Sequence, residues 1–79
     1  MDYAVHTPRQ LGQVLKGERS TQRLSQAEIA TRVGLLPKTV SKLERDPDTA
    51  TLESLFKLLS SLQLELVVRS KSASSVSEW

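Results

Sequence analysis

Lys38, Ser41, Lys42 and Arg45 recur at helical spacing, which sets three cations and a hydroxyl along one stripe of a short helix. Leu36, Val40 and Leu43 fall together on the other side. A stripe of this kind offers hydrogen-bond donors and positive charge, the chemistry that meets phosphates and the base edges of nucleic acid. It holds nothing that could make or break a bond. No nucleophile-base pair, metal cluster or phosphate loop is present elsewhere, and the paired carboxylates Asp46 and Asp48 flank Pro47 as turn formers do. With no cysteine and His6 the lone histidine, disulfides, thiolate metal sites and zinc centres are excluded. A binding protein without cofactor or metal is expected, not an enzyme.

The elements around the stripe must hold it at a fixed angle. Ser25 is a good helix cap, Glu28 completes a capping box, and Ile29, Ala30 and Val33 give that helix one apolar face. Gly34 should end it in the left-handed conformation, and Pro37 suits the first turn of a second helix running to about Arg45. Residues 24–44 therefore read as two short helices joined by a tight turn. That arrangement lets one helix face be anchored while the other enters a major groove.

Charge is distributed accordingly. Net charge is only +2, but between Arg9 and Arg45 eight basic residues stand against three acidic ones, a balance of +5, and from Asp46 onward the balance is −2. The positive potential lies with the two helices, as an electrostatic footprint on DNA requires.

With 79 residues the chain is read as one domain with a small core. Tyr3 and Val5 suggest a short extended segment. Thr7, Pro8 and Gln10 start a first helix, with Leu11, Val14 and Leu15 as its buried stripe and an end near Arg19. Leu24 sits as a hydrophobic staple before Ser25. Residues 46–49 form a turn, and Thr51 caps a last helix over residues 52–62, in which Leu52, Leu55, Phe56, Leu58, Leu59 and Leu62 exceed a single stripe. So wide an apolar arc must cover something beyond its own core. Residues 64–69 read as a strand, with Leu64, Leu66 and Val68 on one face and Val67 between them. No other convincing strand exists in the chain, so this one is expected to pair with its copy in a homodimer. Residues 70–79 are serine-rich and expected to be a flexible tail, whose Trp79 could anchor a partner protein. No apolar run is long enough for a membrane span or signal peptide, so a cytoplasmic protein is expected.

Residues 24–44 resemble the helix-turn-helix of the Cro/C1-type (XRE) transcription regulators. The shared features are Ser25-Gln26 opening the first helix, an alanine inside it, Gly34 at the turn, and Ser41-x-x-Glu44 in the second. The resemblance covers most of residues 7–62. It implies a mainly α, four- to five-helix, lambda-repressor-like domain, here with one C-terminal β-strand pairing across a homodimer. Residues 1–69 would form the DNA-binding and dimerisation domain. The strand and the ending Glu78-Trp79 narrow the resemblance to the HipB-type antitoxins. That family implies repression of its own operon and neutralisation of a HipA-type serine/threonine kinase toxin by complex formation.

On double-stranded DNA with a palindromic operator, Lys38, Ser41 and Lys42 are expected at base edges, with Pro37 offering apolar contact. Gln26, Arg45, Arg23 and Thr39 are expected at the phosphate backbone. A regulator of the same class without a toxin partner, and a protein-interaction module using the wide apolar helix and Trp79, are the alternative readings.

Overall fold

The computed structural model describes residues 2–71, so most of the expected tail, Trp79 included, lies outside the described residues. Four α-helices follow one another: α1 (Pro8–Thr21), α2 (Gln26–Val33), α3 (Pro37–Arg45) and α4 (Leu52–Ser61), with a 3₁₀ turn, Pro47–Thr49, between the last two. The domain is mainly α, as the apolar periodicity implies.

Local chemistry starts and stops each helix. Thr7 caps α1, its hydroxyl accepting from the Gln10 amide at 3.1 Å. Gln10 reaches back past the cap to accept from the His6 amide at 2.7 Å. The helix runs to Thr21, two residues beyond the expected end near Arg19, because solvent-exposed Gly17 is tolerated in its interior. α1 and α4 then terminate in the same way. Arg23 and Gln63 adopt left-handed φ of 59° and 60°. The following leucine amides close back on the helices, Leu24 onto the Arg19 carbonyl (3.2 Å) and Leu64 onto the Leu59 carbonyl (2.9 Å). The Gln22 side-chain amide donates to the Leu62 carbonyl at 3.0 Å, tying the two ends together.

These ends aim Leu24 and Leu64 at one core built from Leu15, Ile29, Ala30, Val40, Leu43, Leu55, Leu58, Leu59 and Leu62. Burying each leucine fully gives about 1.5–3 kcal/mol. Ordering each residue's backbone costs about 1–2 kcal/mol, so a core this small leaves little surplus.

One expectation needs correction. Leu36 does not join Val40 and Leu43 in the core; it is 58 % exposed. The left-handed turn at Gly34 (φ 71°) sends Leu35 inward instead and leaves Leu36 as the extended residue preceding α3. Residues 64–69, expected to pair with a second copy, form no ladder with this chain's own described residues. Leu64 packs on the core, while Leu66, Val67 and Val68 are exposed, Val68 to 92 %. A strand needs a neighbour, and none lies within this chain's described residues. On α4 the apolar arc is as wide as expected, with Leu55, Leu58 and Leu59 buried but Leu52 and Phe56, one turn apart, left exposed.

Candidate nucleic-acid interface

α2 and the turn after it fix where α3 begins. The Ser25 hydroxyl accepts from the Glu28 amide at 3.0 Å, and the Glu28 carboxylate accepts from the Ser25 amide at 2.8 Å. That backbone donor holds the Glu28 carboxyl below the ordinary glutamate range. At the far end the Gly34 and Leu35 amides both close on the Ala30 carbonyl, the latter at 2.9 Å. Pro37 then opens α3 with no side-chain cap in front of it.

α3 buries Val40, Leu43 and Glu44 and turns the rest outward. Pro37, Lys38, Lys42 and Arg45 are exposed, and Thr39 and Ser41 are half-buried. Among the described residues, Lys38, Lys42 and Arg45 enter no ion pair. The stripe is thus brought together and its charge is uncommitted.

What locks this face in place is a carboxylate. Glu44, 3 % exposed at its side chain, accepts from Arg19 twice, at 2.6 Å from Nε and 3.1 Å from Nη2. Arg19 also donates to the Leu24 carbonyl at 2.8 Å, and Gln26 Nε2 donates to Glu44 at 3.0 Å. One buried side chain of α3 is therefore tied directly to α1 and to the first residue of α2, and through Arg19 to the loop between them. The pairing raises the Arg19 pKa further, so the guanidinium stays charged. Alongside, α1 meets α3 almost backbone to backbone. A Cβ placed on Gly12 would lie 2.3 Å from the Glu44 carbonyl oxygen.

Between these helices runs a groove of about 780 Å³ that Gln26, Ser41 and Arg45 share with Arg9, Gln13 and Lys16. Gln26 has one amide proton committed to Glu44. Arg23 is exposed at its left-handed position after α1. The interlock of Arg19, Glu44 and Gly12 is not evident from the sequence. The available signal was Glu44 directly after Leu43 on the inward face of α3, where a carboxylate requires a partner.

Comparison with known proteins agrees with this fold. Residues 15–68 match the helix-turn-helix family. Antitoxin HipB of Escherichia coli (strain K12) is 35 % identical over 64 residues, which are 81 % of this chain and 73 % of that protein. Among solved structures, a HipA-HipB-O2-O3 complex contains a chain that superposes with TM-score 0.85 at 31 % identity, covering 90 % of this chain and all of that one. A HipB-O4 20mer complex gives the same TM-score, identity and coverage. Matched span, identity and fold concur: the chain belongs to the helix-turn-helix family, among its HipB-type antitoxins.

Proposed function

We propose that this chain is a sequence-specific DNA-binding repressor that acts as a homodimer and as the antitoxin of a HipA-type kinase module in the cytoplasm. The observation that carries the proposal is the two-sidedness of α3. Its inner face is locked by Glu44 to α1 and α2, while its outer face presents uncommitted donors. A helix so mounted inserts in a major groove as a rigid unit. Lys38, Ser41 and Lys42 read base edges there, and Pro37 adds apolar contact. Arg23, Gln26, Thr39 and Arg45 hold phosphates, Gln26 through the amide proton that Glu44 leaves free.

Residues 1–69 serve as the DNA-binding and dimerisation unit. Strand pairing of residues 64–69 with a second copy would cover Leu66 and Val68 on the face they share with Leu64 and pair open backbone groups. It would also place the two α3 helices roughly 34–36 Å apart, one turn of duplex. The reading as an antitoxin rests on the HipB relatives and on the HipA complex in which one of them is found. Trp79, outside the described residues, is the proposed anchor for that partner. The protein binds and represses; it catalyses nothing.

Footprinting on the DNA upstream of its own reading frame tests the proposal. Two protected half-sites on one face of the duplex are expected, with affinity falling steeply as salt rises. The absence of any salt-sensitive protection would contradict it. Co-purification with the kinase of the adjacent reading frame, with and without residues 70–79, tests the antitoxin assignment and the tail separately.

A further inference from the structure

Leu36 stands at the leading end of α3, and nothing among the described residues covers it. It is 58 % exposed, so it contributes little to the core. It occupies the cap position of the helix, where Ser, Thr, Asn or Asp would satisfy a backbone amide, and its side chain makes no such bond. Of the other large apolar side chains that are more than half exposed, Leu52 lies on α4 and Leu66, Val67 and Val68 lie in the segment after it, where the proposed pairing with a second copy would cover Leu66 and Val68. Leu36 belongs to neither element.

We infer that Leu36 is a specificity residue that packs on the 5-methyl group of a thymine in the major groove. This deepens the proposed function and rests on its placement of α3. The first residues of a groove-bound helix come closest to the base edges. Thymine alone among the four bases shows an apolar group there. Leu36 and the adjoining Pro37 form an apolar tip, and Pro37, lacking an amide proton, has no donor to offer an acceptor. Lys38 follows directly with a donor. The tip also discriminates by rejection. Against guanine or adenine it would strip water from N7 without replacing the hydrogen bond, and against cytosine it would do the same to the N4 amino group. The half-site should therefore hold a T·A pair beside the G·C pair read by Lys38.

Single-atom-group substitution in the DNA tests this. Duplexes of the protein's own footprinted upstream DNA, with each thymine of a half-site replaced singly by deoxyuridine, are titrated with the full-length wild type, Leu36→Ala and Lys38→Ala. At one thymine, loss of the methyl should weaken the wild type about fourfold, the effect of one buried methyl group. Leu36→Ala should be indifferent to that replacement, and Lys38→Ala should remain sensitive to it. Equal sensitivity of wild type and Leu36→Ala, or no sensitive thymine at all, overturns the assignment while leaving DNA reading intact. A change in dimerisation in Leu36→Ala with methyl sensitivity retained overturns it in favour of a protein contact. Failure of every variant to prefer any sequence removes the underlying DNA reading itself.

Discussion

Glu44→Ala is expected to lower the unfolding free energy by about 3–5 kcal/mol, measured by urea titration of the far-ultraviolet helix signal. The cost arises less from the lost attraction than from what is left behind. Arg19, with its side chain only 13 % exposed, would keep its charge and lose both bonds to the carboxylate, retaining one to the Leu24 carbonyl. Gln26 would lose its acceptor as well. Because the loss removes the tie between α1, α2 and α3, any folded remainder should also read DNA less selectively. Replacing both Glu44 and Arg19 by apolar residues of similar volume should recover much of the stability, since a buried pair owes little net free energy to being charged. A cost under about 1 kcal/mol for Glu44→Ala alone would show that the network is slack and that packing alone positions α3.

Gly12→Ala should cost about 3 kcal/mol or more, by overpacking. The added Cβ meets the Glu44 carbonyl oxygen at 2.3 Å and its carbon at 2.9 Å, and backbone of a helix already pinned by its side chain cannot step aside. Gly17→Ala, five residues along the same helix, is the internal control. A Cβ there meets nothing within 4 Å. Removing a glycine from a helix interior stabilises by about 1 kcal/mol. The same chemical change is thus expected to act with opposite sign at the two positions, read as opposite shifts of the thermal midpoint. Similar shifts at both would mean that α1 and α3 are not in close contact in solution.

How much of this was legible in the sequence depended on the range of the interaction. The Ser25 capping box, the Gly34 turn and Pro37 at the start of α3 are all settled within a few residues, and their chemistry is visible in the residue types. Leu36 departs from its helical spacing for a physical reason. It continues the helical spacing of Val40 and Leu43 backward, but a cap residue is not helical (φ −84°, ψ 149°), and the direction set by Gly34 hands the inward position to Leu35. Gly12 was opaque because its neighbour is 32 positions away and glycine carries no side chain to signal a contact. Glu44 was half legible. The family pattern includes it, yet its partner is 25 residues distant and one of eight basic residues in that stretch. Residues 64–69 show strand periodicity, but a strand is a property of a pair, and the proposed second member is another molecule.

The central claim is that α3 reads bases through a few outward side chains while its surroundings grip the backbone. The ratio of affinities for the protected upstream duplex and a scrambled duplex of equal length, measured for wild type, Lys38→Ala and Arg23→Ala at one fixed salt concentration, tests it most directly. Lys38→Ala should lose about 1–3 kcal/mol on the protected duplex and little on the scrambled one, so that the ratio collapses. Arg23→Ala should weaken both alike and leave the ratio unchanged. An equal loss on both duplexes for Lys38→Ala would contradict the account, because α3 would then be holding DNA without reading it.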